Sequence, residues 1–121
     1  PDIPNEEECR QALRSVFVPG RLELLSRQPL VLVDGAHNGE SAAALVHSLE
    51  RHFAAGSCVF VLGLNSDKNL QDIIEALAPV CKSLIATSSK SEKAMDPELI
   101  FHAAKLRGLD AHLLADSKDA L

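Results

Sequence analysis

Apolar positions along this chain follow two rhythms. Leu30-Val31-Leu32-Val33 and Cys58-Val59-Phe60-Val61-Leu62 are unbroken apolar runs of strand length, whereas Ala42, Leu45, Val46, Leu49 and Phe53 recur at helical spacing. The runs predict strands; the repeat predicts a helix that Gly56 ends. Residues 5–17 read as an earlier helix, with Asn5 as cap, three glutamates in the first turn, and Cys9, Ala12, Leu13 and Val16 on one face. Pro19-Gly20 breaks it. Residues 21–26 alternate apolar with polar, and the short Arg27-Gln28-Pro29 turn makes that strand antiparallel to 30–33.

The run 58–62, bounded by Gly63, predicts a strand buried on both faces. Leu70, Ile73, Ile74 and Leu77 mark a helix stopped near Pro79, and Leu84-Ile85-Ala86 is a short strand. Asp96-Pro97 opens a helix whose apolar face is Leu99, Ile100, Ala103 and Leu106, closed by Gly108. Residues 111–114 read as a strand, and Asp116 as the cap of a further helix. Strand and helix alternate, so the expected fold is α/β: a mostly parallel sheet with one antiparallel strand and helices on both faces.

In such a sheet, ligands bind beyond the carboxyl ends of the strands. Four loops are expected to share that edge: 34–38, 63–69, 87–93 and 115–118. They carry Asp34, His37, Asn38, Asn65, Asp67, Lys68, Thr87, Ser88 and Lys93, a set suited to a polar, anionic ligand of nucleotide or amino-acid type. Asp34 reads either as a turn residue at a strand end or as an acceptor for ribose hydroxyls. His37 either orients the turn or contacts a phosphate or hydroxyl. Asn38 reads as a helix cap, with Ser41 one turn further in. Gly35 and Gly39 permit close backbone approach, and the helix N-terminus favours an anion nearby.

Composition narrows these readings. The chain has 121 residues, enough for one domain with a real core. It lacks Trp and Tyr and carries a formal net charge of −5, which argues against nucleic-acid binding by stacking or by a basic face. Lys82, Lys90 and Lys93 read as solvated lysines or as contacts for a small anion. Three cysteines without a C-x-x-C pair disfavour a disulfide or zinc framework, and Cys58 and Cys81 read as small buried hydrophobes in a reducing compartment. No apolar run approaches membrane-spanning length, and the start shows no signal-peptide pattern, although Pro1 is not an initiator Met and leaves open a targeting segment that was removed or lies upstream. Asp34 and His37 are too few for a metal site, so no metal ligand is assigned. The G-x-S-x-G elbow, G-x-x-x-x-G-K-[ST] and G-x-G-x-x-G are all absent.

Pro19-Gly20-Arg21 followed by Asp34-Gly35-Ala36-His37-Asn38, and later Gly63-Leu64-Asn65-Ser66-Asp67-Lys68-Asn69, resemble motifs of the carboxyl-terminal domain of folylpolyglutamate and dihydrofolate synthases in the Mur ligase superfamily. The resemblance covers nearly the whole chain and implies a Rossmann-like fold. It implies an ATP-dependent ligase of folate and one-carbon metabolism, in which a substrate carboxylate is phosphorylated and L-glutamate attacks the acyl phosphate. Arg21, Asp34, His37 and Asn38 would then contact ATP, with Arg21 at the phosphates and Asp34 at the ribose. Lys68 would face the glutamate carboxylate, with Ser88 and Lys93 beside it, and His37 and Lys68 would serve catalysis.

Mg2+ would be held mainly by an amino-terminal P-loop domain that also carries the folate or pteroate site. Residues 1–121 are therefore expected to be one glutamate-ligase domain, cut off at its carboxyl end and lacking its ATPase domain. Its expected partners are that domain, L-glutamate and folate or pteroate, with no nucleic acid and no membrane. The expected location is the cytoplasm, or a mitochondrion or plastid. Two departures stand out: Gly39 replaces a Pro of the family pattern, and near Lys93 the family often has Arg before Ala. A Mur-type ligase for another substrate and a non-enzymatic nucleotide-binding module are the competing readings.

Overall fold

The computed structural model describes residues 3–114. The loop 115–118, with Asp116, lies outside the described residues, as does the helix expected there. The chain forms two compact units, Pro1–Gly35 and Ala36–Leu121. The boundary falls inside the Asp34–Asn38 pentapeptide.

In the first unit, α1 spans Glu6–Arg14. Asn5 and Glu8 close a reciprocal capping box, with Asn5 Oδ1 accepting from Glu8 N at 2.9 Å and Glu8 Oε2 accepting from Asn5 N at 2.8 Å. The expected apolar face does not pack: α1 buries none of its residues, and Leu13 is 71% exposed. β1 (Glu23–Arg27) and β2 (Leu30–Val33) form an antiparallel two-stranded sheet joined across a cis Gln28-Pro29 bond. The simple alternation expected for β1 is interrupted. The register shifts between Leu24 and Ser26, leaving Leu25 as an extra residue.

The second unit has a parallel sheet in the order β3 (Cys58–Leu62), β4 (Cys81–Ala86), β5 (Ala111–Leu113). Its helices are α2 (Gly39–Glu50), α3 (Leu70–Leu77) and α4 (Pro97–Leu106), with a 3-10 turn at Ala78–Val80. The register sets Phe60 beside Leu84 and Leu84 beside Ala111, so one face collects Phe60, Leu62, Leu84, Ala86 and Ala111. That face meets Ala42, Val46 and Leu49 of α2, Ile73, Ile74 and Leu77 of α3, and Ile100 and Ala104 of α4 in one core. Each large side chain fully buried there contributes about 1.5–3 kcal/mol relative to exposure.

Several sequence expectations are corrected here. β3 is not buried on both faces: Val59 is 55% and Val61 38% exposed, because β3 ends the strand order and the core lies on the Phe60 side. α2 ends at Glu50 rather than at Gly56, which sits in a following turn at φ 65°. β4 begins at Cys81, three residues earlier than the apolar run. α4 turns Ile100 and Ala104 inward while Leu99 and Leu106 stay exposed. Cys58 and Cys81 are only half-buried, and Cys9 is exposed; all three are free thiols.

Candidate functional site

The first unit supplies a guanidinium and a carboxylate. Gly20 adopts φ 71°, and its N–H donates to Glu23 Oε2 at 2.9 Å. The next bend requires Leu22 at φ 45°, a left-handed conformation that costs a residue with a β-carbon about 1–2 kcal/mol. Asp34 compensates: its Oδ2 accepts the Leu22 N–H at 2.9 Å, tying the 19–22 turn to the end of β2. A β-carbon on Gly35 would stand 3.0 Å from Arg21 Nη1 and 3.4 Å from Cζ, so the guanidinium lies directly over the glycine. Arg21, Asp34 and Gly35 are thus assembled locally. Sequence reasoning missed the Leu22 partner of Asp34, since nothing in the pattern marks a leucine at positive φ.

In the second unit the start of α2 is tightly tied. Asn38 Oδ1 accepts from Ser41 N at 2.7 Å, and Ser41 Oγ accepts from both His37 N (3.0 Å) and Asn38 N (3.1 Å). Asn38 is the cap that its position predicted. The glycine beside it does other work than approach to a ligand. A β-carbon at Gly39 would lie 2.7 Å from Asp72 Cβ, so the space belongs to the first turn of α3. A proline there would carry that same β-carbon, which gives the departure from the family pattern a steric reason.

Lys68 lies in the loop between β3 and α3. Its side chain is 27% exposed and its Nζ stands 3.6 Å from Asp67 Oδ2. Its N–H bonds Asn65 O at 3.2 Å, and Asn69 caps α3 through Asp72 N at 3.2 Å. The loop after β4 is strapped to this one: Ser66 N donates to Lys93 O (2.8 Å), Met95 N donates to Leu64 O (2.7 Å), and Asn65 pairs with Ala94 in an isolated bridge. Leu64 and Met95 anchor the strap in the core. The loop that carries Lys68 and the backbone of Lys93 are therefore tied together at the carboxyl ends of β3 and β4. Ser88 is half-buried on the same loop, beside Thr87, whose N–H reaches back to Leu62 O at 3.0 Å. Thr87 Oγ1 is buried without a hydrogen-bond partner among the described residues. The anchoring pair Leu64 and Met95 went unread in the sequence, where both look like ordinary loop-flanking hydrophobes.

Among the described residues no three His, Cys, Asp or Glu side chains converge on a possible metal position, and no helix is long and apolar enough to cross a membrane. What the two units offer chemically is cationic and hydrogen-bonding: a guanidinium over a glycine, a half-buried ammonium, and a carboxylate set by a backbone amide.

Comparison with known proteins places the chain among ligases. A dihydrofolate synthase/folylpolyglutamate synthase of Mycobacterium tuberculosis is 38% identical over 98 residues, covering 81% of this chain and 20% of that protein. A UDP-N-acetylmuramyl-tripeptide synthetase of Lactobacillus delbrueckii subsp. bulgaricus is 36% identical over 66 residues, covering 53% of this chain and 13% of its own length. The structure of Mycobacterium tuberculosis folylpolyglutamate synthase complexed with ADP superposes with a TM-score of 0.87 at 33% identity, covering 97% of this chain and 27% of that one. The chain thus spans about a fifth of the length of the curated relative with which it shares 98 aligned residues. The family described as Mur ligase, glutamate ligase domain, matches residues 20–121, and the chain belongs to it.

Proposed function

We propose that this chain is the glutamate-ligase part of an ATP-dependent enzyme that adds L-glutamate to dihydropteroate or to a folate polyglutamate. The observation that carries this reading is the strap at the ends of β3 and β4. It holds Lys68 half-buried, where its ammonium can meet a small carboxylate. Lys68 binds the α-carboxylate of the incoming glutamate, and Ser88 and Lys93 border it. Arg21 binds nucleotide phosphates through its planar fork, and Asp34 accepts from ribose hydroxyls. His37 and Asn38 line the nucleotide side. ATP supplies the phosphoryl group that activates the substrate carboxylate. Shielding that activated carboxylate from water is the reason for a closing domain.

We assign the Mg2+ ion to a separate P-loop domain and to the nucleotide. That domain, with residues 1–121 as the glutamate-ligase domain beside it, is the expected partner, in the cytoplasm or in an organelle. The shared stretch with the muramyl-tripeptide synthetase supports a second reading, ligation to a peptidoglycan precursor. The longer match to folate enzymes favours the first.

The test is Lys68→Ala in the full-length enzyme, assayed with ATP, glutamate and either dihydropteroate or tetrahydrofolate. Losing a hydrogen bond to a charged group should raise KM for glutamate about 10–100-fold. Unchanged glutamate kinetics would remove Lys68 from the site. Activity on a muramyl substrate alone would select the second reading.

A further inference from the structure

The helices α2 and α3 meet where two site loops end, and the contact leaves no slack. Gly39 is the first residue of α2, and Asp72 lies in the first turn of α3. A β-carbon at position 39 would sit 2.7 Å from Asp72 Cβ and 3.6 Å from its carbonyl carbon, against an optimal carbon–carbon separation of about 3.5–4.0 Å. Either helix start would have to retreat by about 1 Å.

The hydrogen bonds decide which one yields. The start of α2 is held by three bonds of 2.7, 3.0 and 3.1 Å through Asn38 and Ser41. The start of α3 hangs on one side-chain cap, Asn69 Oδ1 accepting from Asp72 N at 3.2 Å, already at the long end for an amide donor. Asp72 is therefore at once the residue that touches Gly39 and the residue whose amide holds Asn69. Asn69 directly follows Lys68.

We propose that Gly39 and Asp72 are positioning residues: their bare contact sets the Asn69 cap and so the placement of the Lys68 loop for glutamate. The proposal rests on the ligase reading for its kinetic consequence, but the coupling itself is a property of the chain. Displacing a binding group by about 1 Å costs up to about 100-fold in rate.

The experiment compares Gly39→Ala, Asp72→Gly and the double variant in the full-length enzyme. Gly39→Ala should raise KM for glutamate about tenfold or more while KM for ATP holds at the wild-type value. Amide exchange should quicken across residues 65–72 and not across 42–49. Asp72→Gly removes the obstructing β-carbon and keeps the amide that Asn69 caps. Adding Gly39→Ala to Asp72→Gly should therefore cost far less than adding it to the wild type, in both readouts. Wild-type exchange at 65–72 in Gly39→Ala, or a penalty that Asp72→Gly does not relieve, overturns the coupling. Exchange that follows the cycle in an enzyme without glutamate ligation upholds the coupling and overturns the ligase reading instead.

Discussion

A carboxylate at the end of a strand invites a ligand, yet Asp34 already serves the fold. Its Oδ2 accepts the N–H of Leu22, the described non-glycine residue at positive φ. The sequence motif singled out Asp34 correctly as special. It offered turn residue and ribose acceptor as alternatives, and the hydrogen bond supports the first. Replacing Asp34 by Ala leaves the Leu22 amide to solvent in a strained bend and should destabilise the chain by about 0.5–1.5 kcal/mol, read as a lower thermal midpoint. Asp34→Asn keeps an acceptor oxygen and should recover most of that loss, while still weakening nucleotide binding if the ribose reading holds. Equal destabilisation by both variants would show that the charge, not the acceptor, holds Leu22. Gly39 teaches the opposite lesson, because a glycine beside a cap suggested ligand approach and only coordinates could reveal Asp72 against it.

At the scale of elements, clean periodicity was legible and mixed periodicity was not. α3 turned inward the residues its spacing named: Ile73, Ile74 and Leu77 are buried, with Leu70 packed against them. α4 did not, because Leu99, Ile100, Phe101 and Ala103 make a stripe too wide to fix one face. β4 begins early because Cys81-Lys82-Ser83 lacks an apolar run yet pairs with β3, Cys58 opposite Cys81. That pairing has a chemical signature. Partial burial, aided by the Cys58 thiol and the Asp110 carboxylate, pushes Cys81 from 9.0 up to about 11. The unfolded chain gives up this proton near 9.0, the folded chain only near 11. The contribution is thus intact below pH 9.0 and is lost as pH rises through about 11. Cys81→Ala should flatten the fall of thermal stability across that window. In the wild type, iodoacetamide at mildly alkaline pH should label exposed Cys9 first and Cys81 last, followed by peptide mass spectrometry; early labelling of Cys81 would contradict its raised pKa.

At the scale of the molecule, the α/β class was readable from the alternation of runs and repeats. The division of the strands between an antiparallel pair and a separate parallel sheet was not. Turn composition set the antiparallel pairing of β1 and β2, but no local signal says whether such a hairpin pairs with a later strand. Family membership followed from two motifs and is matched along residues 20–121. Because the chain covers about a fifth of that curated relative, residues 1–121 alone should show no ADP release with ATP, glutamate and folate, whereas the full-length enzyme should. Turnover by the 121 residues would place the whole reaction within them.

Arg21 rests its guanidinium where Gly35 has no side chain. The obstructed atoms are the tip of a long, pliant chain, so an alanine or serine codon at 35 would barely trouble folding and would merely swing the arginine aside. Carriers of such an allele would make normal amounts of protein with every charged residue present. If Arg21 binds nucleotide phosphates, their defect would mimic deletion of Arg21, and an inspection of mutated charges would overlook its cause.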